Sequence, residues 1–511
     1  MYIKRIELEN IRCFSGKEEI FLSPGLNYLV GENNSGKSSI LYALDYLRSF
    51  APKDESKIYA DGTEASKVVI DIADEELDKI FEEKELKKFI PYIFEESEGE
   101  GGIIRLRRQS QEEKYVQNGK DITIDSKKVA IWNSANERFE NVTGIDAIYK
   151  RLLDLNFIYA DEAPGDHADM SSTKTLGKLI KECISDINQS PQWENFRVAH
   201  NNLFMQDGQG TIQEALSSLG EELSAVMSEQ YAEGIQAKIM FDMPEVNSFL
   251  KSGHVQISNG DDGSDETSLE NKGTGLQRAF MLALLQIYAK KFAGGSGRDN
   301  RVVFGLDEPE TWLHPSAQIK LINAVREIAK KQQVLLVTHS PYMLQGIESD
   351  NSKAIIFSNK LTLNKDKCED KRVQDSVELN KCKLPYISWN AINYYVFGVP
   401  SVEFMDELYG HFQVKVNKGK SLREKEMIKS LNEHGINSTE IWIKEFVDED
   451  GNGNEVKYYK PFNVPLCVYV RNSVHHPENR KNDKYTTDQL GEAIKELESV
   501  IEKLNVSGAS S

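Results

Sequence analysis

Cysteine is scarce: five in 511 residues, at Cys13, Cys183, Cys368, Cys382 and Cys467, with no C-x-x-C pair. That spacing argues against a zinc site or a disulfide framework and for a reducing, cytoplasmic setting. Long apolar runs are missing too, and no stretch reaches the roughly 20 residues of a membrane-spanning helix. The opening "MYIKRIELENIRCF" alternates polar and apolar residues like a strand, unlike a secretory leader. Basic residues are in deficit, 62 Lys and Arg against 81 Asp and Glu, for a net charge of −19. Such a balance repels phosphate and opposes a broad non-specific nucleic-acid surface, while a local basic groove for RNA or DNA stays open. No heptad pattern runs long enough for an extended coiled-coil arm. The length leaves room for two or three domains.

Against these absences stands "GENNSGKSS", residues 31–39. Gly31, four residues, then Gly36-Lys37-Ser38 is the P-loop spacing. Glycines let backbone N–H groups turn inward around phosphate oxygens. A lysine brings a mobile positive charge to the β- and γ-phosphates, and a Ser hydroxyl suits Mg²⁺. "LNYLV" (26–30) reads as a strand entering the loop. Ile40, Leu41, Leu44 and Leu47 recur at helical spacing after it. A helix N-terminus there adds positive potential. Gly31, Asn34, Ser35, Gly36, Lys37, Ser38 and Ser39 are therefore the candidate nucleotide contacts, with ATP and Mg²⁺ the expected ligands.

A P-loop needs a strand ending in an acid, and "RVVFGLDEPE" (301–310) supplies one. Asp307 is the candidate metal ligand with Ser38, and Glu308 the residue that orients and polarises the attacking water. Alone, the acids would also suit a strand-end turn. "QQVLLVTHSP" (332–341) gives a further apolar strand ending at His339, placed to sense the γ-phosphate or to serve as a structural residue. "ENKGTGLQRAFMLALLQIYAKKF" (270–292) leads through Gly273-Thr274-Gly275 into a long helix. One P-loop nucleotide does not need a second helix N-terminus from its own subunit, so this segment reads as acting on a partner subunit's γ-phosphate; a turn before a core helix is the plainer reading.

Taken in order, "GENNSGKSS", "KGTGLQR", "LDEPETWLHP" and "VTHSP" resemble the ABC-type head of SMC/RecF-like ATPases, in the branch of the OLD and bacterial antiphage-defence ATPases. The resemblance spans about residues 1–346. It implies an α/β fold, a P-loop ATPase head with an antiparallel β lobe and a short helical insertion, and a homodimer or higher oligomer with ATP sandwiched between heads. Gly-Thr-Gly-Leu-Gln in place of the family's Leu-Ser-Gly-Gly-Gln leaves open which side chain meets the γ-phosphate.

Within the head, "KVVIDIA", "GIIRLRRQ", "KYVQNGKDITI" and "LNFIYA" (all within 67–160) read as the antiparallel lobe. Residues 172–233 read as a helical insertion, with stripes Leu176–Ile187 and Ile212–Met227 that dimerise or pack on the head. "SNGDDGSDETSLENKG" (258–273) reads as an exposed acidic hairpin. Residues 347–387 are expected to connect to a mostly helical C-terminal domain, 388–506. There, Asp448-x-Asp450 begins like an EF-hand loop, but Tyr459 stands where the bidentate Glu belongs, so a hairpin fits better. OLD proteins carry a Toprim nuclease next; its first glutamate element is not evident after residue 341. Arg471-Asn472 with His476 gives R-N-x-x-x-H, which resembles HEPN ribonucleases. In that chemistry a histidine moves the proton of the 2′-OH or leaving oxygen, and an arginine stabilises phosphate charge. The same "HHPEN" stretch also suits a structural helix end. The aromatic "SWNAINYYVFGVPSVEFMDELYGHF" (388–412) fits either a domain core or a docking surface, and the tail resembles those of Septu-like and retron-linked ATPases paired with a separate nuclease. Three functions follow: an ATPase that controls a separately encoded nuclease or toxin, a HEPN-like ribonuclease under ATPase control, or a RecF-like DNA repair ATPase, which the acidic balance disfavours.

Overall fold

The computed structural model describes residues 1–48, 65–82, 86–96, 101–117, 120–160, 190–204, 211–231, 234–239, 253–258, 266–292, 301–347, 352–357, 373–374, 382–417, 419–420, 422–449 and 455–508, with isolated positions between 170 and 187. The chain divides into two compact units, Met1–Ala160 with Gly297–Ser511, and Asp161–Ser296.

Two six-stranded sheets build the larger unit's head. In one, the strands Leu153–Ile158, Arg301–Asp307, Gln333–Val337, Leu26–Gly31 and Ser352–Phe357 run parallel in that spatial order, and Val373–Gln374 closes the edge antiparallel. Parallel strands covered on both faces read as unbroken apolar runs, and "VLLV" of the strand at 333–337 is buried throughout. The other sheet is antiparallel, ordered Phe14–Phe21, Tyr2–Ile11, Lys67–Asp74, Gly102–Gln109, Ala130–Asn133 and Arg138–Glu140. The helix Lys37–Arg48 shares a core with both sheets: Ile40, Leu41, Leu44 and Leu47 pack with Ile6, Leu8, Val68, Ile70 and Leu106 of one and with Leu155, Val303 and Leu335 of the other. Arg48 in its last turn suits the helix dipole and donates to the Leu155 carbonyl at 2.6 Å.

Two expectations change here. "LNFIYA" belongs to the parallel sheet, where Leu155 sits opposite Val303, rather than to the antiparallel lobe. An apolar run announces a strand but not its sheet. The head also does not stop at residue 346: Ser352–Phe357, expected in the connector, pairs along the whole P-loop strand, Ser352 with Leu26 through Phe357 with Gly31. "KVVIDIA", "GIIRLRRQ" and the hairpin Glu113–Gln117 with Lys120–Ile124 are antiparallel as expected.

The C-terminal region has its own core, built by the helices Val402–Val416, Glu424–Glu433, Leu466–His475 and Thr487–Gly508 around Phe404, Leu408, Phe412, Cys467 and Leu497. Strands Glu440–Glu449 and Glu455–Val464 form one long antiparallel ribbon, so the EF-hand-like residues before the turn belong to a hairpin; residues 450–454 lie outside the described set. Trp442 anchors the ribbon in this core, edge-on to Tyr469. The helix Trp389–Phe397 opens the region beside the short helix Pro341–Leu344, with the Trp389 and Tyr342 rings 4.6 Å apart.

In the smaller unit, the helix Ile212–Gln230 is capped by the Thr211 hydroxyl, which accepts from Glu214 N–H at 3.1 Å. Its stripe is not a buried core: Leu219, Leu223, Val226 and Met227 are exposed. Most of the stripe at 176–187 lies outside the described residues. The expected acidic hairpin is seen at its base, where Gln256–Ile257 pairs with Thr267–Ser268; residues 259–265 lie outside the described set. Among the described residues no helix is long and apolar enough to cross a membrane.

Candidate functional site

The site gathers at the carboxyl ends of three adjacent parallel strands, where ligands of open α/β sheets bind. Leu26–Gly31 delivers the P-loop, Gln333–Val337 delivers Thr338 and His339, and Arg301–Asp307 delivers the two acids. A cleft of about 780 Å³ opens there, lined by Asn33–Ser39, Glu308 and His339, with Arg12 and Cys13 from the other sheet.

Backbone geometry explains the loop's composition. Asn34 and Gly36 have positive φ, 61° and 100°. A side chain at Gly36 would meet Cys13 Sγ and the Phe14 ring, both at 2.6 Å from its Cβ. Gly31 does not line the cleft, and a Cβ there would collide with the Phe357 carbonyl of the neighbouring strand. Ser35 is likewise turned inward, fully buried, its hydroxyl donating to the Glu32 carbonyl at 2.7 Å. The Ser39 hydroxyl lies 3.7 Å from Cys13 Sγ.

Lys37 lies across the loop, donating to the carbonyls of Gly31 at 3.2 Å and Glu32 at 2.6 Å. Burial pulls its pKa down to about 8, against the raising influence of Glu308, Asp307 and Glu32. Ser38 Oγ donates to Asp307 Oδ1 at 2.8 Å, across 269 residues of chain. Two hard oxygens side by side suit Mg²⁺, which takes few protein ligands and completes its shell with phosphate and water. Glu308 follows in a left-handed conformation, φ 46°, and its Oε1 stands 3.4 Å from His339 Nε2. Burial and the Lys37 charge hold His339 below its ordinary pKa, with Glu308 opposing, so the ring is neutral near pH 7.

Asn34 to Ser39 of the loop, Glu308 and His339 thus line one cleft, with Asp307 joined to it through Ser38. Arg12, Cys13 and Glu310 were missed. Arg12 sits over the Tyr42 ring at 4.2 Å, and its only mark in the sequence is its place in the opening strand motif "ENIRCF". Glu310 stands inside "DEPETWLHP" with no feature of the sequence to single it out; it is buried.

Gly273, Thr274 and Gly275 belong to the smaller unit, where they start the helix Thr274–Phe292. Gln277 folds back on this turn, its Nε2 donating to Lys272 O at 2.8 Å and Glu270 O at 3.1 Å. A Cβ at Gly273 or Gly275 would meet nothing within 4 Å.

In the tail, Arg471 and His476 are not aimed at a common point. Arg471 Nε stands 3.2 Å from Asp406 Oδ1, an ion pair whose angle is not that of a hydrogen bond, and its guanidinium lies over Tyr409 at 5.0 Å. His475, not His476, shares Asp406, at 3.5 Å. Asn472 is buried and donates to Glu424 at 3.1 Å. His476 ends the helix, its N–H donating to Asn472 O at 2.9 Å and its ring facing Glu478 at 3.3 Å. Among the described residues, no group of three or more His, Cys, Asp or Glu is arranged to hold a metal ion.

Comparison with known proteins agrees with the head. The Old nuclease of Escherichia phage P2 is 26% identical over 338 residues, covering 63% of this chain and 54% of that protein. Endonuclease GajA of Bacillus cereus is 22% identical over 383 residues, covering 70% of this chain and 58% of that protein. The chain spans about half the length of these relatives. An Smc head solved with the C-winged helix domain of ScpA aligns with a TM-score of 0.39 at 19% identity, over 70% of this chain and 95% of that one. Residues 1–344, well over half of the chain, match the AAA ATPase domain, and the chain belongs to that family.

Proposed function

We propose that this chain binds and hydrolyses ATP with Mg²⁺, as a homodimer or higher oligomer whose heads sandwich the nucleotide, and that it controls a separately encoded nuclease or toxin in antiphage defence. The observation that carries the reading is the single cleft in which Ser38 meets Asp307 and Glu308 meets His339 beside Lys37. Lys37 supplies charge to the β/γ-phosphates, and Ser38 with Asp307 holds Mg²⁺, which when bound neutralises developing phosphate charge. Glu308 takes the position of the residue that polarises water, and neutral His339 donates a hydrogen bond to the γ-phosphate. Gly273–Gly275, with open space around their backbone, act on the partner head's nucleotide.

Effector control rests on two supports. The relatives that the head resembles are named nucleases. The helix after His339 also places Tyr342 against Trp389, giving the site a direct packing route to the tail. The rival reading, a HEPN-like ribonuclease in the tail, is weakened by the Arg471–Asp406 pair and by the burial of Asn472.

The test is E308Q. Losing the base costs on the order of 10²–10⁴-fold in turnover, while ATP binding persists and closed dimers accumulate in sedimentation. Normal turnover would remove Glu308 from the reaction.

A further inference from the structure

Glu310 bridges the two strand ends that carry Glu308 and His339. It is 7% exposed. Its Oε1 accepts from the Thr338 hydroxyl at 2.5 Å and from the His339 backbone N–H at 3.0 Å. Its Oε2 is buried with no hydrogen-bond partner. Buried polar atoms are rarely left so, and each exception asks for a reason.

Thr338 is itself fully buried, its N–H donating to Leu29 O at the entrance to the P-loop at 3.2 Å. Glu308 N–H donates to Val337 O at 2.9 Å, so each strand end already leans on the other. Glu308 then turns through its left-handed conformation, and Thr311 N–H donates back to Glu308 O at 3.1 Å, which swings Glu310 under the loop holding His339. On the far side, Ser340 Oγ donates to Gln318 at 2.5 Å. His339 is thus held by its backbone on one side and by its successor on the other, leaving its ring free to face Glu308 at 3.4 Å.

We infer that Glu310 is the positioning residue of this site: its carboxyl oxygen fixes the His339 loop against the acid turn and so sets the spacing between His339 and Glu308. This rests on the ATPase reading for its consequence, but the positioning itself does not. The demand is for a buried acceptor at full side-chain reach, not for a charge. Burial raises the Glu310 pKa in keeping with that, aided by the nearby Glu308 carboxylate.

The experiment compares E310A and E310Q in the full chain. Misplacing a reacting group by about 1 Å costs up to 10²-fold, so E310A is expected to lower kcat about 10- to 100-fold while the affinity for a fluorescent ATP analogue changes less than about threefold. E310Q keeps the Oε1 acceptor and restores at least about half of the wild-type kcat. Wild-type turnover in E310A, no rescue by E310Q, or equal losses in kcat and affinity would overturn the assignment. Should wild type itself hydrolyse no ATP, the ATPase reading fails instead, and the positioning is read from the His339 imidazole resonance, assigned with H339A. Two charged groups face that ring, Lys37 from the P-loop helix and Glu308 from the acid turn. Release of the loop in E310A exposes the ring to water and moves its titration upward, toward the ordinary value, whereas E310Q leaves it in place. An unmoved titration in E310A would overturn the inference.

Discussion

Head and tail use polar residues in opposite ways. In the head, Asp307, Glu308 and His339 sit at strand ends and Ser38 in the first turn of the P-loop helix; Ser38, Glu308 and His339 line one cleft, and Asp307 is bonded to Ser38. In the tail, Arg471, Asn472 and His476 come from one helix and its end, and each faces a different acid: Asp406, Glu424 and Glu478. Strand ends of a parallel sheet point several chain segments at one spot, whereas residues one and five places apart on a single helix diverge. A motif on a helix therefore needs a second element, or a second subunit, to become a site.

Removing the head's cation is the strongest way to break this contrast. K37A is expected to weaken ATP binding about 10- to 100-fold, the value of a hydrogen-bonded charge. Because burial places Lys37 at about pKa 8, its charge is present below that pH and lost above it. Wild-type affinity should then fall between pH 8 and 9, by up to about tenfold per unit, and the fall should vanish in K37A. Equal pH profiles for the two proteins, measured by titration calorimetry, would detach Lys37 from the phosphates.

G275E asks whether the head is completed by a second copy. Nothing lies within 4 Å of a Cβ there, so the monomer tolerates the side chain and keeps its ATP affinity. Facing a partner's γ-phosphate, the carboxylate would repel it strongly in a dry gap. Sedimentation with ATP should show no closed dimer; one as stable as wild type would sink the trans role.

The smallest effect belongs to the tail. R471A with H476A removes two partly exposed contacts to acids, Arg471 with Asp406 and His476 with Glu478, of a kind worth about 0–1 kcal/mol each, so the melting temperature and ATPase rate should stay close to wild type. If the purified chain cuts RNA and the double variant does not, the tail is an enzyme and the contrast between the regions collapses.

Where the sequence was legible, the reason is local. "VVFGL" and "VLLV" are apolar throughout because both faces of a parallel sheet are covered, and the P-loop spacing is dictated by the phosphate it wraps. "LNFIYA" pairs in the parallel sheet rather than the antiparallel lobe that its sequence suggests, because an apolar hexapeptide does not name its neighbours. Ser352–Phe357 was missed as head because its only qualification is pairing with a strand more than 300 residues earlier. In the tail, the hairpin 440–464 was readable from its turn residues, but Asp406, on another helix, gave no sign that it would take Arg471.

Residue type and short-range spacing determined the loop, the acids, the strand-ending histidine and the helices that flank them, because those depend on φ/ψ demands and periodicity within a few residues. Only the tertiary structure decided that Gly31 lies hard against a neighbouring strand's carbonyl, that Glu310 is a buried acceptor, and that the two halves of R-N-x-x-x-H have separate partners. Those outcomes depend on which distant segments are brought together to exclude water, and burial then assigns each polar atom the partner it must keep.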